Sequence, residues 1–350
     1  MISFGPAANL LRRKLGADVS RLESRAVERW QIAPETRRYI DRAIFLPGQL
    51  ERIRDTEFAD IDSVVRAFHG DHEWVAGATW GYRLKNVDLF DGVLYSGSAQ
   101  MHLRVQKYRL PAYLVPRGIA KGALYESWVG NRWFGNWLSD DCLTYRLAER
   151  FGSPVTTTMA PAGHIPRYEA LLGIAPRRLD QIHFDELVIF EDNHNNDDRK
   201  ERANDLRNRI IAGTGAKPAE HPGTFLLRGG SGMRRMLVNE NAVAERLART
   251  RGFKILDPSN ASVEEIVEAC ATARCVTGVE GSQLVHGLVV MPPDASLLVL
   301  QPPTRVVAAL KLITDRQGQR YGLVVGEETD HDDFSVNVDE VERTLDLLAG

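Results

Sequence analysis

Thr224-Phe225-Leu226-Leu227, Phe253-Lys254-Ile255-Leu256, Cys275-Val276-Thr277 and Ser296 to Leu300 are four short apolar runs separated by helical patterns. Each run ends on punctuation: Arg228-Gly229-Gly230, Asp257-Pro258, Gly278 and Gln301-Pro302-Pro303. Asn239 is placed to cap a helix reaching about Thr250. Ser262-Val263-Glu264-Glu265 is a capping box, and Ile266, Cys270 and Ala273 follow it on one helical face. Ser282 to Val290 reads as a short helix stopped by Pro292-Pro293. Strands alternating with helices imply right-handed crossovers and a parallel sheet.

Such sheets bind ligands outside the carboxyl ends of their strands. That rule selects Arg228, Gly229, Gly230, Ser231, Gly232, Arg234 and Arg235 after the first strand, and Asp257, Ser259 and Asn260 after the second. Glu280, Gly281, Ser282 and Gln283 follow the third, and Gln301 the fourth. The loop from Gly278 to Ser282 opens directly into a helix, where free amides and the helix dipole favour an anion such as a diphosphate. Arg228, Arg234 and Arg235 add the positive charge a diphosphate needs. Arg234 and Arg235 are neighbours, so one of the two is expected to face the ligand.

Several of these runs carry a resemblance: Phe225-Leu226-Leu227-Arg228, Arg234 to Glu240, Arg251-Gly252-Phe253, Asp257-Pro258, Gly278 to Leu284 and Met291-Pro292-Pro293. In order and spacing they resemble glycosyltransferase family 61, whose bacterial members are often capsular polysaccharide biosynthesis proteins. Upstream, the aromatic-rich stretch from Gly130 to Leu143 resembles the family pattern Asn-Tyr/Phe-x-His-Trp-Leu-x-Glu/Asp at Phe134, Trp137, Leu138 and Asp140. It departs at Asn136, where the family often has histidine. A second departure is Glu280, which replaces the histidine of the family loop Gly-Pro-His-Gly-Ala-Gly-Leu; His286 stands where the family often has asparagine.

The resemblance implies an α/β chain of two Rossmann-like domains of the glycosyltransferase B type, with the cleft between them. Residues 1–217 are the expected acceptor-side domain, residues 218–328 the nucleotide-sugar domain, and residues 329–350 a helix crossing back to the first. Gly213 to Pro218 is the expected hinge. The implied reaction is inverting transfer of a sugar from a nucleoside diphosphate, UDP being favoured, to a hydroxyl of a glycan, as in bacterial surface polysaccharide synthesis. A base must take the acceptor proton, and the leaving diphosphate must be stabilised as its charge grows. Asp140 is the first choice for the base, with Glu280 the alternative. Asn136, Trp137 and Asp141 are the acceptor-side candidates, and Arg228, Gly229, Arg234, Arg235, Asp257, Gly278, Gly281, Ser282 and Gln283 the donor-side set. Glu280 beside a diphosphate is repulsive unless it is protonated or faces sugar hydroxyls. Two other readings are carried: a degenerate nucleotide-sugar- or glycan-binding partner protein, and a polysaccharide pyruvyl transferase, loosely suggested by Gln283-Leu284-Val285-His286.

The rest of the chain limits the choice. Its 350 residues suit two domains, and 43% hydrophobic and 26% charged residues are those of a soluble enzyme. A net charge of -3 gives no reason to expect nucleic acid. Three cysteines, Cys142, Cys270 and Cys275, make neither a disulfide frame nor a zinc site and fit a reducing cytoplasm. No cofactor is expected and no metal required, because an Asp-x-Asp triplet is missing and arginines can serve the diphosphate. No run approaches the ~20 apolar residues of a membrane span. The basic, amphipathic Leu10 to Leu15 allows weak peripheral contact with an anionic membrane, against the plainer reading of a solvated helix. Ala43 to Leu46 and Thr79 to Tyr95 read as strands, with Asp91-Gly92 a turn. His69-Gly70-Asp71-His72 reads as a surface loop. So does Glu191 to Lys200, with Asp192, His194, Asp197 and Asp198, followed by a basic helix from about Arg199.

Overall fold

The computed structural model describes residues 4–16, 20–108, 113–157, 161–217, 219–229, 235–330 and 333–350. The chain divides into two compact units: Met1–Thr36 with Gly77–Arg202, and Arg37–Ala76 with Ala203–Gly350. This differs from the expected boundary in two ways. Arg37–Ala76 belongs with the C-terminal half, and the second crossover, between Arg202 and Ala203, lies inside a helix rather than at the glycine-rich segment near residue 215.

The first unit is built on an eight-stranded sheet. Its strands are β1 (Glu28–Ala33), β2 (Thr79–Phe90), β3 (Val93–Ser96), β4 (Ala99–His102), β5 (Ile119–Leu124), β6 (Pro154–Thr157), β7 (Arg177–Leu179) and β8 (Ile182–Glu191). They run in the order β4-β3-β2-β8-β5-β6-β7, with β1 on β2. The half from β8 to β7 is parallel, whereas β1, β2, β3 and β4 pair antiparallel. The expected pure Rossmann sheet is thus mixed here. Local chemistry explains the antiparallel part: Asp91 and Gly92 both take positive φ, 46° and 73°, and form the tight two-residue turn that joins β2 to β3. Leu84, Val87, Leu89, Phe184, Leu187 and Ile189 fill the core. Three helices matter below: α1 (Cys142–Phe151), α2 (Ile165–Leu172) and α3 (Asp197–Thr214). The N-terminal helix Gly5–Lys14 is tied down by Asn9, whose Nδ2 donates to the Gly97 carbonyl at 2.9 Å, while Leu11 and Leu15 stay exposed. Among the described residues no helix is long and apolar enough to cross a membrane.

The second unit carries the parallel sheet read from the sequence. Its strands are β9 (Thr224–Leu226), β10 (Lys254–Leu256), β11 (Cys275–Val279), β12 (Ser296–Gln301) and β13 (Arg320–Val325), in the order β10-β9-β11-β12-β13. Every neighbouring pair is parallel. The helices are α4 (Glu240–Arg251), α5 (Val263–Cys270), α6 (Gln283–Leu288), α7 (Ala309–Gln317) and α8 (Val338–Ala349). The Ser262–Glu265 capping box is present. Asn239, by contrast, makes no side-chain cap; its amide donates to the Val336 carbonyl and accepts from the Val336 N–H. Phe225, Leu247, Leu298, Leu300, Val324, Phe334 and Leu345 form the core. Helix α8, expected to cross to the N-terminal domain, packs on β13 and α4 inside this unit.

Arg37–Ala76 joins the second unit along the free edge of β13. The expected strand Ala43–Leu46 shrinks to one bridge, Ile44 to the Tyr321–Leu323 backbone, because Pro47-Gly48 turns the chain away. Gln49 accepts from the Val325 N–H at 2.6 Å, and Arg52 clasps Glu340 of α8 with two 2.7 Å hydrogen bonds. Residues 54–57 then run beside residues 303–306: the Arg54 N–H donates to the Pro303 carbonyl at 2.8 Å, Val306 N–H to Asp55 at 3.0 Å, and Glu57 N–H to Val306 at 3.2 Å.

Candidate functional site

In the second unit, β9, β11 and β12 are successive strands, so the loops beyond their carboxyl ends converge. Arg228 follows β9, Glu280 follows β11 and Arg305 follows β12. Arg228 is buried, and its Nη1 donates to the Arg235 carbonyl at 3.2 Å. Arg235 stands at φ 71°, a left-handed conformation unusual for a long side chain. Its Nη1 lies 3.5 Å from Glu280 Oε2, and Arg305 Nη1 approaches the same oxygen at 3.7 Å. Two guanidinium groups therefore approach one buried carboxylate at distances longer than the 2.7–2.9 Å of a good charge-assisted bond, and the Arg228 guanidinium also feels its charge. Burial, then Arg305 and Arg228, push the Arg235 guanidinium down to about 10; Glu280 opposes them only in part. Burial also lowers Arg228. Cations crowded in this way are stabilised by an added anion.

The loop amides are disposed differently from expectation. The Arg228 and Gly229 N–H groups donate to the two carboxylate oxygens of Glu240 at 2.8 and 3.0 Å, so Gly229 is held by α4 and its amide is occupied. Gly278 answers to packing: a Cβ there would stand 2.4 Å from the Leu226 carbonyl oxygen. Gly281 takes φ 157°, and Ser282 makes no side-chain cap on α6, whose six residues give a weaker dipole than the longer helix expected. Gln283 turns back to the Val279 carbonyl. Asp257 closes its own loop, accepting from Ser259 N, Ser259 Oγ and Asn260 Nδ2 at 2.6–2.9 Å, and these bonds hold its carboxyl below the usual range. Arg234, with Gly230, Ser231 and Gly232, lies outside the described residues. His286 is buried.

The acceptor-side candidates lie in the first unit. Residues 137–141 form a single turn of π-helix, in which the Cys142 N–H reaches back to the Trp137 carbonyl. Such turns are frequent at functional sites. Asp140 Oδ1 accepts from Arg199 Nη2 at 2.6 Å and Oδ2 from Asn136 Nδ2 at 3.0 Å; about a quarter of its side chain (27%) is exposed. Trp137 is buried and packs on Phe134. Asp141 is not available to an acceptor: it is buried, and Ser127 donates to it through both Oγ (2.7 Å) and N–H (3.1 Å). Burial pushes its carboxyl well above the usual range, against those bonds.

The acidic stretch after β8 is also a correction. Asp192 is buried, not solvated: Arg202 grips it with two 2.7 Å bonds, Arg199 approaches at 3.1 Å, and Thr144 donates at 2.9 Å. The basic helix α3 thus turns Arg199 and Arg202 inward. Among the described residues no cluster of three or more metal-ligating side chains occurs. A cavity of about 1000 Å³ opens at the opposite, amino-terminal edge of the second unit's sheet, lined by His221, Phe253, Cys275 and Ser296. Its Arg274 and Arg251 are already paired, with Glu220 and Asp346. The carboxyl edge, with its unfinished cluster, is the stronger ligand site.

The Glycosyltransferase 61 family model matches residues 110–298, more than half of the chain. The chain belongs to glycosyltransferase family 61. It is a glycosyltransferase by that membership, and it acts on a donor and an acceptor. The matched region includes Arg228, Arg235, Glu280 and Asp140 but stops short of Arg305 and does not reach back to Glu57. No curated protein matches the sequence. Among solved structures, the apo form of NADH:FMN oxidoreductase (EMOB) is 14% identical over 37% of this chain and 87% of that one, with a TM-score of 0.22. The Flv1 flavodiiron core from Synechocystis sp. PCC6803 is 11% identical over 62% and 49%, and the flavodiiron protein from Giardia intestinalis 8% over 52% and 45%, both with TM-scores of 0.26. The chain spans about half the length of those two, and TM-scores this low tie it to neither their fold nor their chemistry.

Sequence reading did not find Arg305, Glu57, Glu240 or Arg199. Arg305 was within reach, two residues beyond the last strand's Pro302-Pro303. Glu57 and Arg199 carry no motif, and Arg305, the partner of Glu57, and Asp140, one partner of Arg199, come from distant segments.

Proposed function

We propose that this family 61 enzyme is an inverting transferase of the glycosyltransferase B type, moving a sugar from a UDP-sugar to a hydroxyl of a glycan in bacterial surface polysaccharide synthesis. The observation that carries the proposal is the group of Arg228, Arg235 and Arg305 around Glu280 at the carboxyl edge of a parallel sheet. A diphosphate offers more acceptor oxygens than one carboxylate, and its charge grows as the glycosidic bond to the leaving group breaks. Guanidinium groups already in place stabilise that charge without reorganisation. The division of the chain into two α/β units supports the glycosyltransferase B reading.

Asp140 is the base in this reading. It remains partly exposed, and Arg199 and Asn136 fix its orientation. Glu280 is buried against two arginines and serves the donor side. Bacterial polysaccharide as the destination, UDP as the nucleotide, a cytoplasmic location and weak membrane contact through Gly5–Lys14 complete the proposal. They rest on the family, and in the last case on the exposed Leu11 and Leu15.

The test is a thermal-shift panel of UDP, GDP, CMP and dTDP with their common sugars. UDP at a hundred times its dissociation constant is expected to add ~2.7 kcal/mol of stability to the wild type, and Arg228→Ala to lose that response. No response to any nucleotide would overturn the donor reading.

A further inference from the structure

We infer that Arg305, aimed by Glu57, is the third cation of the donor diphosphate site. The inference rests on the donor reading above. Arg305 and Glu57 both lie outside the stretch that marks the family, and the structure alone brings them to the site.

The backbone is the first observation. Arg305 follows β12, the strand next to the one that delivers Glu280. Its loop is not loose. Residues 303–306 are hydrogen-bonded on both sides to residues 54–57 at 2.8–3.2 Å, and that register sets Glu57 beside Arg305. The side chain is the second observation. Glu57 Oε2 accepts from Arg305 Nε at 2.8 Å, which fixes the plane of the guanidinium and turns Nη1 toward Glu280, 3.7 Å away. A guanidinium held through Nε presents its two terminal nitrogens as a fork, the geometry that suits phosphate oxygens.

The third observation is electrostatic. Of the charges around Arg235, Arg305 acts on it most strongly, and repulsively. Were the network there to staple residues 54–58 to the sheet, Arg305 would close on both Glu57 and Glu280 at the distance of a charge-assisted hydrogen bond. It closes on Glu57 only. The contacts of Arg235 and Arg305 with Glu280 stay at 3.5 and 3.7 Å and share one oxygen, Oε2. Glu280 Oε2 therefore lies between the two guanidinium groups and draws both toward one point, where a multi-oxygen anion can meet both. This also gives Arg37–Ala76 a role: it joins the second unit and supplies the residue that orients a cation at its ligand edge.

The experiment titrates UDP, inorganic pyrophosphate and uridine into wild type, Arg228→Ala, Arg305→Ala, Arg305→Lys and Glu57→Gln by calorimetry, with thermal stability measured alongside. Arg305→Ala is expected to weaken UDP and pyrophosphate by about 10- to 100-fold, the scale of a lost hydrogen bond between charged groups, and to leave uridine unchanged. Arg305→Lys should recover part of the loss, and Glu57→Gln, which keeps the cation but loosens its aim, should weaken UDP by roughly 3- to 10-fold. If Arg305→Ala does not fold, Arg305→Gln is measured in its place with the same expectation. UDP affinity unchanged in the Arg305 variants but lost in Arg228→Ala would overturn this inference and leave the donor reading standing. Affinity unchanged alongside a lowered melting point would mark Arg305 as structural and overturn it as well. A wild type that binds neither UDP nor pyrophosphate would overturn the donor reading itself, and this inference with it.

Discussion

Both units of the molecule gather arginines round carboxylates, and they do so in opposite ways. In the first unit, Asp192, Asp140 and Asp198 meet Arg199 and Arg202 at 2.6–3.1 Å, so three anions answer two cations. Burial alone would raise the Asp192 carboxyl; Arg199 and Arg202 outweigh it and hold the group below its usual range. In the second unit, Arg235 and Arg305 approach Glu280 at 3.5 and 3.7 Å, and burial, Arg305 and Arg228 together depress Arg235. The first cluster is closed and holds α3 and α1 to the sheet. The second is open. Close ion pairs hold the first cluster, although Arg199 Nε and Nη1 keep no hydrogen-bond partner among the described residues, whereas Arg235 of the second has only a long contact with Glu280 and can gain from a ligand anion. Presence of arginines says little; the match of charge and distance separates scaffold from site.

The largest effect tests the closed cluster. Asp192→Asn leaves Arg199 and Arg202 buried without the carboxylate they share. Stripping one member from a buried ion network costs about 3–5 kcal/mol. Urea denaturation is expected to show the unfolding free energy falling by that amount, as a lower midpoint with the slope unchanged. A loss under 1 kcal/mol would mean that Asp140 and Asp198 suffice, and that the closed cluster is looser than its distances state.

A pair of intermediate exposure sharpens the comparison. Arg52 and Glu340 join Arg37–Ala76 to α8 in the second unit, with side chains 28% and 18% exposed. The Arg52 hydrogen bond, against the effect of burial and with help from Gln49, holds the Glu340 carboxyl below its ordinary 4.5. A lowered folded-state value means stability that is present above pH ~4.5 and lost as the pH falls through the depressed value. Arg52→Ala should therefore cost about 1–2 kcal/mol at pH 7, and the gap to wild type should narrow as acid protonates Glu340. A gap independent of pH would assign the loss to packing of the arginine stem instead.

Much of this architecture was legible and part of it was not, for physical reasons. The strands β9 to β12 are short apolar runs ended by Gly, Pro or Asp, and the Ser262–Glu265 cap is a three-residue signal; each is written locally. Arg228, Arg235 and Glu280 followed from the rule about strand ends. The placement of Arg37–Ala76 did not, since it depends on Ile44 finding the edge of β13 almost 280 residues away. Arg305 was missed with it. Asp192 was read as solvated because its neighbours are acidic and polar, yet Arg199 and Arg202, three apart on the next helix, were the available sign of a buried partner.

The smallest expected effect is the most discriminating. Arg235 sits with its guanidinium pushed down to about 10 by burial, Arg305 and Arg228. Its folded value lies below the ordinary guanidinium range, so the fold disfavours the charged form. The charged side chain is thus a cost to stability throughout the neutral range, relieved only as the pH rises through about 10. Arg235→Met keeps the apolar stem and the same backbone strain at φ 71° while removing the charge. The ligand-free variant at pH 7.5, a condition about two units below that value, should unfold within ~0.5 kcal/mol of wild type or above it. UDP affinity should fall even so, the exchange of stability for function that binding sites show. Arg202→Met, the same change in the closed cluster, should cost several times as much, because it strands Asp192. If Arg235→Met loses stability on the scale of Arg202→Met, the second cluster is scaffold like the first, and the arginines at the carboxyl edge no longer point to a ligand.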